Sequence, residues 1–312
     1  RTTTYGGTTC VDSGAVETSY SLTFTQQPGD EAASATLGPA PTVQLNESGA
    51  PLALSGVSIS VSAAAGTLSG TTTQSTGSNG QATFGDLSID TPESGDTLTA
   101  SLELTTGSPA MTASAASSAF NVTAVAPTIT FTVADHTFGD APFSVAATSN
   151  SNGTITYSVV SGPATNSGGT VTLTGAGTVT MEATQAAAGQ YSAATQDVTF
   201  NVAKATPSIS WTAPAAIAYG TALTATQLNA SAPVAGSFTY TPAAGAVLAA
   251  GTQALSVTFT PTDTANYTTA TATVKLTVNK ATVVVNGPPV TLAYGNSGTA
   301  TVTVAGQHSG PG

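Results

Sequence analysis

Two stretches of this chain follow one recurring pattern. Gly189-Gln-Tyr191-Ser-Ala-Ala-Thr-Gln-Asp-Val-Thr-Phe-Asn-Val-Ala-Lys204-Ala recurs as Ala265-Asn-Tyr267-Thr-Thr-Ala-Thr-Ala-Thr-Val-Lys-Leu-Thr-Val-Asn-Lys280-Ala, and both Tyr191 to Tyr267 and Lys204 to Lys280 span 76 residues. A chain that repeats at such an interval folds as a row of similar units rather than around one core. Two further series agree. Phe138-Gly139, Tyr219-Gly220 and Tyr294-Gly295 recur at spacings of 81 and 75 residues, each 11 or 12 residues after Pro127, Pro207 or Thr282. Ile129-Thr-Phe131 corresponds to Ile209-Ser-Trp211, which makes the single Trp a core aromatic of a first strand.

The units read as β throughout. Val57-Ser-Ile-Ser-Val61, Thr128-Ile-Thr-Phe-Thr-Val133, Leu255-Ser-Val-Thr-Phe259 and Val274-Lys-Leu-Thr-Val278 alternate apolar residues mostly with Thr or Ser. A period of two sets one face on a core and one in solvent, and β-branched Thr suits an extended, half-exposed pleat. Helical periodicity is almost absent, because Gly, Pro, Thr or Ser interrupts most windows. The expected organisation is a segment 1–19, a longer module 20–125, repeats 126–205 and 206–281, and a partial repeat or C-terminal segment 282–312. Strands are expected near 20–25, 41–46, 57–62, 81–89, 97–104 and 117–124. Phe131, Tyr191, Trp211 and Tyr267 are expected to be buried scaffold residues.

The repeats 127–205 and 206–281, with their Pro-Ser-Ile-Ser-Trp211 opening, Ala-Tyr219-Gly corner and Ala-Asn-Tyr267…Val-Asn-Lys280-Ala ending, resemble the bacterial immunoglobulin-like repeats of large secreted and surface proteins. Leu22-Thr-Phe-Thr-Gln-Gln-Pro28, Pro41-Thr-Val-Gln-Leu45, Gly70-Thr-Thr-Thr and Asn79-Gly-Gln-Ala-Thr-Phe84-Gly-Asp-Leu-Ser-Ile89 resemble the related invasin/intimin-type module. The resemblance implies tandem antiparallel immunoglobulin-like β-sandwiches with Greek-key connections, placed outside the cell or on its surface. Alternation and turn spacing support the same all-β architecture independently.

Composition excludes several functions. Four basic residues against 15 acids give a formal net charge of −11, and 10 of those acids precede residue 105. Phosphate binding needs a basic stripe that is missing, so nucleic acid is not an expected partner. There is no apolar run long enough to span a bilayer, so no membrane insertion is expected. With no initial Met, basic n-region or apolar h-region, the chain reads as a processed or excised segment. Cys10 is alone and has no internal disulfide partner.

No enzyme is expected, and no catalytic, cofactor-binding or metal-binding residue. A triad lacks a base, since His308 lies in a Gly/Pro tail and His136, between Asp135 and Asp140, reads as a solvated turn residue. Paired-carboxylate chemistry needs a groove lined with aromatics, which are 6% of the chain and belong to cores. The junctions Val122–Pro127, Val202–Pro207 and Val278–Thr282 contain no acid, which argues against bridging calcium. The loop Asp86…Asp90…Glu93-Ser-Gly-Asp96 lacks regular ligand spacing. A Lys–Asn isopeptide staple is excluded from 20–125, which has no Lys. Sequons begin at Asn46, Asn121, Asn152, Asn229 and Asn266.

The expected role is therefore structural: a stiff extracellular stalk or filament subunit. Copies of the chain are its expected partners, head to tail, with Thr2-Thr-Thr-Tyr5 as candidate donor strand for open edges such as Val283-Val-Val285 and Thr301-Val-Thr-Val304. The alternative is an adhesin module that binds a glycan or host surface protein through sandwich loops, which predicts exposed aromatic anchors there.

Overall fold

The computed structural model describes residues 2–5, 8–11, 19–104 and 111–282. These residues contain strands, turns and bends and no helix, and the strands form tandem immunoglobulin-like β-sandwiches. Most pairing is antiparallel; among the described residues three short strand pairs are parallel, as are the single-residue bridges of Val125 and Ala205. By backbone contacts the chain divides into two compact units, Arg1–Thr132 with Ala146–Ser158 and Glu182–Val198, and Val133–Val145 with Val159–Met181 and Thr199–Gly312. The residues of the expected repeat 126–205 are thus shared between the units.

In the first unit, one sheet runs Gln81–Thr83, Thr42–Glu47, Tyr20–Gln26, and another runs Met111–Ala116, Leu98–Leu104, Ser58–Ala63, Thr73–Ser75. The period-two pattern decides which side chains face inward. Ile59 and Val61 are buried between exposed Ser58 and Ser62, and Leu98, Ala100 and Leu102 between exposed Thr99 and Ser101. They join Leu22, Val43, Leu45, Phe84, Leu87, Ile89, Phe120 and Val122 in one hydrophobic core.

One expected strand is divided in the structure, and one strand is present that was not expected. The run 81–89 is not one strand: Gln81–Thr83 pairs with Thr42–Gln44, whereas Ser88–Ile89 pairs with Leu68–Ser69. Asp86 breaks it by turning back to accept hydrogen bonds from Thr71 N–H and Oγ1 at 3.0 and 2.7 Å. Met111–Ala116 was not anticipated, because Ala, Ser and Thr alternate there with little contrast in hydrophobicity. Its place comes from its ladder with Leu98–Leu104.

The second unit holds the sheet Ile217–Ala218, Ala270–Asn279, Gly251–Pro261, Gly236–Thr241. Leu255, Leu276, Val278, Ile217, Leu223 and Leu228 form one hydrophobic core there, with Trp211, Tyr219 and Tyr240 packed against it. Trp211 corrects the sequence reading: it lies outside any strand and is half-buried, held by Nε1–H donating to Gln227 C=O at 3.0 Å. Phe131 is buried as expected, at 5% exposure.

The aromatic-glycine corners also find their cause. His136–Thr137 pairs in parallel with Val202–Ala203, and Ile217–Ala218 with Val278–Asn279, so each short early strand lies against the end of a later one. Phe138 and Tyr219 N–H groups add one more bond each, to Ala203 and Asn279 C=O at 2.8 Å. The chain then turns sharply, with Asp140 N–H on Thr137 C=O and Thr221 N–H on Ala218 C=O. Such a turn needs positive φ at its third residue, which Gly139 and Gly220 supply at 93° and 91°. In the first unit Glu31–Ala32 makes the same parallel contact with Val122–Thr123. Tyr294-Gly295, Val283–Val285 and Thr301–Val304 lie outside the described residues.

Candidate functional site

The residues that most constrain what this chain can do lie at Val125 and Ala205, each shortly after a long-range strand pairing ends. Val125 follows the last strand of the 20–125 stretch. Its N–H donates to Gln190 C=O and its C=O accepts from Ser192 N–H, both at 2.9 Å. Eighty residues on, Ala205 does the same, donating to Asn266 C=O and accepting from Thr268 N–H, both at 2.9 Å. Each linker residue is therefore clamped as a one-residue parallel strand by the segment centred on Tyr191 or Tyr267.

Side chains reinforce both clamps. At the first, Ser34 Oγ donates to Gln190 Oε1 at 2.6 Å. At the second, Asp263 holds a turn together by accepting from the Ala265 and Asn266 N–H groups at 3.1 Å and from Asn266 Nδ2 at 2.8 Å. That orients Asn266 Oδ1 to accept from Ala176 N–H at 2.7 Å. Lys204 Nζ donates to Thr264 C=O at 2.6 Å, and the Thr206 and Thr268 hydroxyls meet at 2.8 Å. The Tyr267 ring meets Phe138 edge-on, with centroids 5.5 Å apart. Tyr191 and Tyr267 are thus half-buried clamp residues and not the fully buried scaffold expected. Their recurrence was visible in the sequence; the roles of Asp263, Asn266 and Lys204 were not, since their partners lie 60 or more residues away or in a turn.

The acids of the candidate calcium loop do not converge. Asp86 caps Thr71, Asp90 accepts from Thr67 N–H, and Asp96, 2% exposed, accepts from the Ala65 and Thr97 N–H groups. No group of three or more metal-ligating side chains occurs among the described residues. His136 departs from its expected solvated turn. It is half-buried in a strand, stacked on Phe143 at 3.8 Å, with Nδ1 3.3 Å from Asp140. Among the sequons Asn46 is buried, Asn121 is bonded to Asp30 and Asn266 to Asp263, while Asn152 and Asn229 are exposed. Thr2–Tyr5 is a strand, but it pairs antiparallel with Thr8–Val11 of its own chain.

These carboxylates act as turn staples, which gives the chain a predictable acid response. Hydrogen bonds hold five of them below the ordinary carboxylate value: Asp30 from Asn121 N–H, Asp86 from Thr71 Oγ1, Asp90 from Thr67 N–H, Asp140 from Thr137 N–H and Asp263 from Asn266 Nδ2. A carboxylate lowered on folding contributes stability above its unfolded value of about 4, and that stability is lost as pH falls through the folded value. The thermal midpoint is therefore expected to stay flat from neutral pH to about 5 and to drop below about 4. Calorimetry across that range checks it; a midpoint that rises on acidification contradicts the staple role.

The sequence matches no protein-family model and no curated protein. Among solved structures, it aligns with Sidekick-1 immunoglobulin domains 1-5 over 86% of this chain and 61% of that one, at 11% identity and a TM-score of 0.32. The chain thus spans less than two thirds of that structure. The D0-D1 domain of intimin aligns over 59% of this chain and 97% of that one, at 21% identity and a TM-score of 0.22. Drosophila OTK extracellular domains 3-5 align over 83% and 97%, at 11% identity and a TM-score of 0.27. The fold assignment rests on the chain's own sheets, not on these superpositions.

Proposed function

We propose that this chain is the shaft of an extracellular bacterial surface protein, a non-enzymatic spacer built from an invasin/intimin-type module 20–125 and immunoglobulin-like repeats 126–205 and 206–281. The observation that carries this reading is the clamp, made twice with the same backbone geometry at Val125 and Ala205. A linker whose N–H and C=O are both bonded to the segment beyond it cannot swivel freely, and restricting the swivel is what turns a string of modules into a stiff spacer. In this reading the segment 1–19 and residues 282–312 serve head-to-tail association of copies into a filament, which deletion of residues 1–19 should dissolve into monomers in sizing chromatography.

The adhesin alternative calls for exposed aromatic anchors. The exposed large hydrophobic side chains among the described residues are the aliphatic Leu54, Val160 and Val247.

Small-angle scattering tests the shaft. The unaltered chain should give one extended length, and Lys204→Ala with Asn266→Ala, which removes two side-chain braces of the second clamp, should broaden and shorten the distribution. In the same variant the Ala205 amide should exchange with solvent at least about tenfold faster. A parent chain that already scatters as freely jointed beads would end the shaft reading.

A further inference from the structure

The sheet of the second unit ends on Gly236–Thr241, which has one strand neighbour among the described residues. Its register with Gly251–Pro261 is unbroken, from Gly236 opposite Pro261 to Thr241 opposite Ser256. The bond from Thr262 N–H to Ala235 C=O sets the phase of this ladder. Because directions alternate along a strand, residues 235, 237, 239 and 241 aim their backbone groups at the neighbour, while Gly236, Phe238 and Tyr240 aim theirs outward.

Such edges are normally blunted by charge, bulges, proline or shortness. Three edge strands of the first unit use these devices: Tyr20–Gln26 bulges between Phe24 and Gln26, Glu93–Asp96 is irregular and carries two carboxylates, and Glu31–Ala32 is two residues long. Gly236–Thr241 has none of them. It is six residues long and regular, and from Ala205 through Thr262 the sequence contains no Asp, Glu, Lys, Arg or His. In a chain of net charge −11, with 10 of 15 acids before residue 105, two copies repel through the acidic part and can meet here without like charges opposing.

We propose that Gly236–Thr241 is a self-association edge that pairs antiparallel with the same strand of a second copy. A twofold axis at Phe238 sets Phe238 opposite its equivalent and Gly236 opposite Tyr240 of the second copy. The three outward-facing residues of each strand then exchange about six backbone hydrogen bonds. The contact uses the same patch on both copies and closes on itself, so it joins two chains side by side, independently of any head-to-tail filament.

The register also dictates the test. Ser237 and Thr239 are exposed, and the axis sets Ser237 against Thr239 of the second copy. Ser237→Lys with Thr239→Lys therefore crowds four ammonium groups together at the contact. Sedimentation equilibrium should show the parent chain dimerising with concentration, and this variant should weaken the dimer at least about tenfold. Thr271→Lys with Thr273→Lys adds the same charge at exposed positions of Ala270–Asn279, which lies beyond Gly251–Pro261 from the proposed contact, and should change it by less than about twofold. Mixing the Ser237→Lys/Thr239→Lys chain with a Ser237→Glu/Thr239→Glu chain should restore a mixed dimer. A chain that stays monomeric at millimolar concentration overturns the proposal. So does a dimer that ignores lysines at 237 and 239, including one that disappears only when residues 283–312 are removed.

Discussion

Phe84→Ala is expected to destabilise the first unit by about 3–5 kcal/mol, the range for removing a fully buried aromatic from a packed core. Phe84 has 0% exposure and sits where the chain leaves one strand pairing for another, its own N–H bonded to Pro41 C=O at 2.9 Å. The core around it is built largely of Val, Ala, Leu and Ile, so few neighbours have the reach to fill the hole. Sheet ladders on both sides fix the flanking residues, which limits collapse. Urea unfolding measures the effect, and the midpoint should fall while the m-value holds, because the surface exposed on unfolding is nearly unchanged. Phe84→Leu keeps most of the volume and should cost less than about half as much. A loss below about 1 kcal/mol for the alanine variant would show that the core around Phe84 is loose or can repack.

Gly80→Ala is the second large effect, for a different reason. Gly80 closes the turn after Asn79 with φ of 73°, and a Cβ there would collide with the Leu52 carbonyl oxygen. The space is taken by backbone, which has no rotamer to retreat into. Around the same point Gly80 C=O accepts from Leu45 N–H at 3.0 Å, and the buried amide of Gln44 reaches Gly80, Leu45 and Leu52 carbonyls. A methyl group must therefore push either the turn or the Ala50–Leu52 segment out of these bonds. The expected cost is about 2–4 kcal/mol, combining left-handed strain with overpacking. Gly95→Ala separates the two contributions, since Gly95 has nearly the same φ, 72°, and nothing within 4 Å of its would-be Cβ. It should cost about 1 kcal/mol. Equal losses at both positions would mean that the collision with Leu52 is relieved at no cost.

Much of the fold was legible in the residues. The Thr- and Ser-interrupted alternation of Val57–Val61 and Leu255–Phe259 places the same side chains inward that the sandwiches bury, because a strand's period of two leaves no other face for them. The recurring Phe138-Gly139 and Tyr219-Gly220 pairs marked real corners, because positive φ after an aromatic is a local demand that only glycine meets cheaply. What went unseen was whatever depended on a distant partner. The run 81–89 reads as one strand until Asp86 finds Thr71, and Met111–Ala116 reads as nothing until Leu98–Leu104 lies beside it.

The candidate site divides along the same line. Tyr191 and Tyr267 announced themselves by recurrence, yet a recurring tyrosine serves a core and a clamp equally well in sequence. Tertiary structure decided for the clamp by bringing Val125 to Tyr191 and Ala205 to Tyr267. His136 shows the reverse case: flanking aspartates suggested solvent, and the approach of Phe143 and Phe200 instead made it part of an aromatic cluster. The sequence by itself determined the all-β class, the repeat and the faces of the strands, since these follow from local sterics and from the alternation of polar and apolar residues. Only the tertiary structure decided which linkers are held, which acids are consumed as staples and which edge is left open. Each of those is a pairing between residues far apart in the chain, and short-range preferences carry no information about which distant backbone will arrive.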